Sequence, residues 1–181
     1  RSKVMLVKYA QAFVIAPGGF GTLDEGYEAL TLMQTGKSQL MPLVLVDRPG
    51  GTYWKTWDHH VKGHLLRDQM ISSDDLNLYH ITDSPEEAVK YIARFYRNFH
   101  SSRFVKDLLV IRLLNPPSAS AIKGMNDDFA DIISGAPIKL MDTTPEELED
   151  NDHPGLARIG FGFNRRNYGR LRQLIDVLNI Q

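Results

Sequence analysis

The sequence predicts an α/β protein, an open parallel sheet joined by helices, followed by a small α+β module. Three observations carry that expectation. Short apolar runs alternate with stretches of helical periodicity up to residue 97. A glycine-rich turn links the first apolar run to its helix, as at the carboxyl end of a parallel strand. Beyond a composition shift near Asn98-Phe99-His100-Ser101-Ser102, the element order becomes β-α-β-β-α. The expected domains are 1–97 and 104–181.

The elements follow in order. KVMLVKYA (3–10) reads as the end of a helix, with Val4 and Val7, and Met5 and Tyr9, at helical spacing. Ala12–Ala16, AFVIA, is a continuous apolar run and predicts a strand covered on both faces. After the turn, TLDEGYEALTLMQTG (22–36) predicts a helix with Leu23, Tyr27, Leu30 and Met33 or Gln34 on its apolar face, and with Gly36 as its stop. PLVLVD (42–47) predicts a second buried strand, RPGGT (48–52) a loop, YWKTWDHHVKGHLLR (53–67) a helix and LYHIT (78–82) a third strand. Ser84-Pro85-Glu86-Glu87 supplies an N-cap, an N1 proline and an N3 glutamate for the helix EEAVKYIARFYR. Three strands make a thin sheet, and the chain opens on Arg1-Ser2-Lys3 rather than on methionine, so an upstream segment is expected.

In the second module, DLLVIRLL predicts a strand, SASAIKGMNDDFADII a helix and IKLMD a strand. An acidic loop around EELEDNDHPG, a strand LARIGFGF and a helix YGRLRQLIDVLN complete it. That order suggests an α+β module of the ferredoxin-like kind.

The bulk numbers bound the function. A chain of 181 residues, 43% hydrophobic, can bury one sizeable core or a core plus a small module. A net charge of −1 offers no bulk attraction to nucleic acid or an anionic membrane. The absence of cysteine excludes a disulfide framework and a thiolate metal site. No apolar run approaches the roughly 20 residues that cross a bilayer, and no signal peptide is expected. A cytoplasmic setting is expected.

Chemistry concentrates in APGGFGTLDE (16–25). Gly18, Gly19 and Gly21 let the backbone turn tightly and approach an anion at the positive end of a helix dipole. Thr22 can cap the helix and offer a hydroxyl to a phosphate. The pattern is not G-x-G-x-x-G and no G-K-[ST] follows, which leaves dinucleotide binding and P-loop hydrolysis poorly supported. A structural reading stands beside the anion site. Thr22-x-x-Glu25 is also a capping box, and Asp24 complements the dipole from the first turn. The residues alone leave both open.

PGGFGTLDE resembles the P-G-G-x-G-T-x-x-E signature of the LONELY GUY family, also labelled possible lysine decarboxylase. The likeness covers roughly residues 3–95, through KVMLVKYAQAFVIAPGGFGTLDE and EALTLMQTGK. It implies a Rossmann-like homodimer or higher oligomer that hydrolyses the N-glycosidic bond of a nucleoside 5′-monophosphate, giving free base and ribose 5-phosphate. No cofactor is implied, and the sequence gives no indication of the pyridoxal phosphate site that lysine decarboxylation would need. By the resemblance, Gly18, Gly19, Gly21 and Thr22 hold the 5′-phosphate. Glu25 is then the catalytic carboxylate, stabilising an oxocarbenium-like state, and Asp24 a further substrate contact. The family also places an Arg-Lys pair on the preceding helix. Lys3 matches the lysine, while Ser2 stands in the arginine's position. Arg1, one residue earlier and about 100° round a helix, is the candidate catalytic arginine if that helix starts irregularly. Ser2 favours the alternative, a non-catalytic nucleotide or phosphorylated-cofactor carrier of the same superfamily; Glu25 favours the enzyme.

Other features read more plainly. His60 and His64 have i, i+4 spacing but no third ligand, so no metal site is expected. Trp54 and Trp57 suit a core or an interface better than a ligand cover. Arg165, Arg166, Arg170 and Arg172 read as a solvated helix face or as intersubunit ion pairs before they read as a nucleic-acid patch. Glu146, Glu147, Glu149, Asp150 and Asp152 form an acidic counter-patch nearby in sequence.

Overall fold

The computed structural model describes residues 11–180. The chain divides into two compact units, residues 1–94 with 166–172, and residues 95–165 with 173–181.

The first unit holds three parallel strands in the order β1 (Phe13–Ile15), β2 (Leu43–Val46), β3 (His80–Thr82). Val14 pairs with Val44, and Val44 with His80. The carboxyl ends of the strands therefore lie side by side. Helix α1 (Phe20–Gln34) connects β1 to β2. Helix α2 (Tyr53–His60), its π-helical continuation Val61–Leu66 and a 3-10 turn Ser73–Leu78 connect β2 to β3, and α3 (Pro85–Phe95) follows. This is a Rossmann-like α/β arrangement.

Burial follows strand position. Leu43, Val44 and Leu45 of the central strand are at most 2% exposed, as expected of a parallel strand covered on both faces. The same expectation for AFVIA is corrected: among the described residues β1 bonds only to β2, and Val14 is 58% exposed. Helix α1 buries Gly26, Ala29 and Met33, so its inward face is offset from the expected one and Tyr27 stands exposed. Small residues allow this close approach, since a Cβ on Gly26 would lie 3.5 Å from Ile15 Cδ1. Gly36 does stop the helix, with φ 73°, and a Cβ there would also strike the Tyr168 ring. Ser84 caps α3 as expected, its Oγ accepting from Glu87 N at 3.2 Å. The Glu87 carboxylate does not return to Ser84. It accepts from the Thr82 hydroxyl at 2.5 Å and sits 3.0 Å from His80 Nε2.

The second unit is a four-stranded antiparallel sheet, with β4 (Phe99–Val105), β5 (Leu108–Leu113), β6 (Lys139–Met141) and β7 (Ala157–Phe161) in the order β4-β5-β7-β6. From β5 onward the β-α-β-β-α order is as expected, with α4 (Ala119–Asp128) after β5 and α6 (Tyr168–Leu178), of which residues 173–178 belong to this unit, after β7. Strand β7 lies between β5 and β6, the split arrangement of ferredoxin-like modules. Strand β4 was not expected, and it adds to the other edge of β5 through a hairpin in which Lys106 has φ 53°. The expected acidic loop begins as a short helix, α5 (Pro145–Glu149). Thr144-Pro145-Glu146-Glu147 repeats the helix-start pattern of Ser84–Glu87 and here closes a full capping box.

The two faces of this sheet differ. Leu109, Ile111, Leu113, Ile159 and Phe161 alternate along β5 and β7 and are almost fully buried. On the opposite face Arg112 and Arg158 sit directly across from each other, both buried. Glu147, with no exposed surface, lies between them: Arg112 Nε donates to it at 2.9 Å and Arg158 Nε at 3.0 Å. Burial alone would raise the Glu147 carboxyl, but the bonds from Thr144, Arg112 and Arg158 outweigh it and hold the group below its ordinary range. Asp152 completes the cluster, accepting from Arg112 Nη2 at 2.5 Å and Arg103 Nη1 at 3.0 Å. Glu147, Asp150 and Asp152 of the acidic run are thus paired with arginines of the strands.

Candidate functional site

Strand β1 ends at Ile15 and α1 begins at Phe20, so residues 16–19 make the whole strand-to-helix turn. Gly19 is the N-cap, with φ −89° and ψ −154°, and no side chain caps the helix. Thr22 is therefore the third helical residue, and the expected Thr22–Glu25 capping box is not formed. The glycines let the backbone enter the helix before the threonine, and Leu23 N already donates to Gly19 O at 3.2 Å. For the same reason Asp24 falls outside the first turn, which holds no acidic residue, so its expected dipole role lapses.

Removing the capping role leaves Glu25 exposed on the surface of α1. It lies three and four residues beyond Thr22 and Gly21, on the same helix face. Helical side chains lean towards the N-terminus, so Glu25 leans towards the Gly21–Thr22 end of the helix. Phe20, beside them, is 94% exposed.

The three glycines are there for different reasons. A Cβ on Gly18 would collide with the Thr22 hydroxyl; Gly18 is needed for packing. Cβ atoms on Gly19 or Gly21 would meet nothing within 4 Å. Neither has the positive φ that favours glycine. Gly21 even costs the helix about 0.5–1 kcal/mol relative to alanine. Their neighbourhood has room for an outside group to reach the backbone, where the first N–H groups of a helix lack intrahelical acceptors.

A second wall comes from the loop after β2. Buried Asp47 accepts from Arg48 N at 2.9 Å and Trp54 N at 3.2 Å, and Gly51 passes so close that a Cβ would collide with its carboxylate. Gly50 N donates to Asp83 at 3.1 Å, tying this loop to the end of β3. Tyr53 then donates its hydroxyl to Gly18 O at 2.6 Å. Sequence reasoning missed Asp47 and Tyr53. The available signal was a second glycine-rich loop with an aromatic directly after the second strand, mirroring the first.

The remaining candidates are placed as follows. Arg1 and Lys3, and Ser2 between them, lie outside the described residues. Trp54 is buried core, stacked edge-on against Tyr53 and Trp57 at 4.7 and 5.7 Å. Trp57 donates to the Tyr27 hydroxyl at 2.8 Å and lines an open cavity of about 150 Å³ with Leu30, Val61, Leu65 and Tyr79. Burial and the hydrogen bond to Asp58 push the Tyr79 phenol up. The His60 and His64 rings are 5.0 Å apart, and among the described residues no three potential metal ligands converge. The arginine run is not a uniformly solvated face: Arg172 is buried against Tyr91, donating to its hydroxyl at 2.9 Å, and Arg165 lies over the Phe104 ring.

Lysine decarboxylation runs on pyridoxal phosphate held as a Schiff base on a lysine. The described lysines of the first unit, Lys37, Lys55, Lys62 and Lys90, are all exposed and none lies in the glycine turn. Among the described residues, no lysine is placed to hold that cofactor at the turn. No curated protein matches the chain. The model of the family described as possible lysine decarboxylase matches residues 1–92, half of the chain and the whole of the site described above. The protein thus belongs to the possible lysine decarboxylase family, the LONELY GUY group.

Proposed function

We propose that the protein hydrolyses the N-glycosidic bond of a nucleoside 5′-monophosphate, releasing free base and ribose 5-phosphate. The observation that carries this reading is open backbone at the start of the helix, at Gly19 and Gly21, with an exposed carboxylate, Glu25, one turn beyond Gly21 on the same helix face. The turn seats the 5′-phosphate on the helix N-terminus, with Thr22 offering its hydroxyl. That anchor holds the ribose against Glu25, so the reacting carbon and the carboxylate meet without further loss of freedom. As the bond to the base breaks, positive charge grows on the ribose, and the carboxylate stabilises it while orienting water. Lys3 and Arg1 contribute the cationic side of the site, and Asp24 a contact near the sugar. The resemblance to the family supports a homodimer or higher oligomer, and the cysteine-free composition a cytoplasmic setting; among the described residues no helix is long and apolar enough to cross a membrane.

Glu25→Gln keeps the shape of the carboxylate and removes its charge. Full-length protein carrying it binds the monophosphate and releases base at least about a hundredfold more slowly. Ser2 favours a second reading, a nucleotide carrier. Tight binding of a monophosphate by wild type, with no base released from any nucleotide tested, would establish the carrier instead.

A further inference from the structure

We propose that Tyr53 is a positioning residue for the phosphate seat: by holding the Gly18 carbonyl it aims the Gly19 N–H at the 5′-phosphate. The inference rests on the reading of the glycine turn as that seat. A trans peptide is planar, so its carbonyl and the next N–H point in opposite directions. Fixing Gly18 O, to which the Tyr53 hydroxyl donates at 2.6 Å, therefore fixes the direction of Gly19 N–H. The turn needs such an external hold. Neither Gly18 nor Gly19 has a side chain, glycine restricts its own backbone least of all residues, and no side chain caps the helix. Thr22 limits Gly18 on one side, and Tyr53 holds its carbonyl. A hydrogen bond accepted by the carbonyl also polarises the peptide, making its N–H a stronger donor to an anion.

The base from which Tyr53 reaches is itself braced. It is the first residue of α2, it follows a loop held by the two bonds into Asp47, and its neighbour Trp54 is buried. The tyrosine thus transmits the position of β2 to the turn after β1. It need not touch the substrate to do so.

The test is Tyr53→Phe in the full-length protein, which keeps the ring and its packing on Trp54. Calorimetry with ribose 5-phosphate, and with a nucleoside and its 5′-monophosphate, separates phosphate binding from the rest. Expected is a loss of roughly five- to tenfold in affinity for ribose 5-phosphate, with nucleoside affinity unchanged. KM for the monophosphate rises by a similar factor while kcat stays within about twofold. Equal ribose 5-phosphate affinity in variant and wild type would overturn the role of Tyr53 and leave the seat intact. Parallel losses for nucleoside and ribose 5-phosphate would also overturn it, by showing a general structural defect. Absence of ribose 5-phosphate binding by wild type would overturn the seat itself.

Discussion

The glycine turn of the first unit and the Arg112–Glu147–Arg158 cluster of the second are both rich in polar groups, and they use them in opposite ways. In the cluster every charge has a partner within the unit. Glu147 takes both guanidiniums and the Thr144 cap, Asp152 takes Arg103 and Arg112, and Arg158 donates to the carbonyls of Leu156, Asp152 and His153. At the turn, Gly19 and Gly21 face open space and Glu25 is exposed. A dense charge run in the sequence thus marks a network whose centre, Glu147, is buried and paired, with Glu149 and Asp150 left exposed. A nearly uncharged run of glycines marks the place where capacity for an outside ligand remains.

The sharpest way to break this contrast is to remove the centre of the cluster. Glu147→Ala leaves two buried guanidiniums without their anion and is expected to cost about 3–5 kcal/mol of unfolding free energy, read from urea denaturation. Glu25→Gln, on an exposed position, changes the same quantity by less than about 0.5 kcal/mol. A comparable loss for both would erase the distinction.

Within the turn, the glycines separate packing from ligand access. Gly18→Ala forces a Cβ into Thr22 and is expected to destabilise by about 1–3 kcal/mol. Gly21→Ala meets no atom and improves helix propensity, so thermal and urea unfolding should show a gain of about 0.5–1 kcal/mol while nucleotide binding weakens. A Gly21→Ala protein that is more stable and binds nucleotide undiminished would show that the open space has no occupant.

The smallest effect is a pH dependence. The Glu147 and Asp152 carboxyls are held below their ordinary range by bonds that outweigh burial. The stability they contribute is complete above the unfolded values, about 4, and is lost as pH falls through their lower folded values. Burial, with His153 and Arg112 nearby, also lowers the His100 imidazole. Its neutral form is favoured in the folded state, so a further modest loss begins as pH falls below about 6.5. Denaturant titrations between pH 7 and pH 3 should show both phases, and Glu147→Gln should flatten the acid one.

What could be read from the sequence had local causes. Gly36 as a helix stop, Ser84 as a cap, and PLVLVD as a buried strand each depend on a few neighbouring residues and keep their roles in the fold. What could not be read depends on distant partners. FHSSRFV lacks a continuous apolar face because Ser101 and Arg103 of β4 turn towards the buried charges. Glu147 looks solvated in sequence because its arginine partners stand 35 and 11 residues away. Thr22 resembles a cap, yet the glycines before it start the helix earlier. Tyr53 meets Gly18 across 35 residues, a contact no local pattern announces.

The most direct test of the account is the product balance of the full-length protein incubated with a panel of nucleoside 5′-monophosphates, beside the matching nucleosides. The account predicts equal amounts of free base and ribose 5-phosphate from at least one monophosphate, little or no base from its nucleoside, and loss of both products with Glu25→Gln. Base released equally well from the nucleoside, or undiminished release by Glu25→Gln, would contradict it.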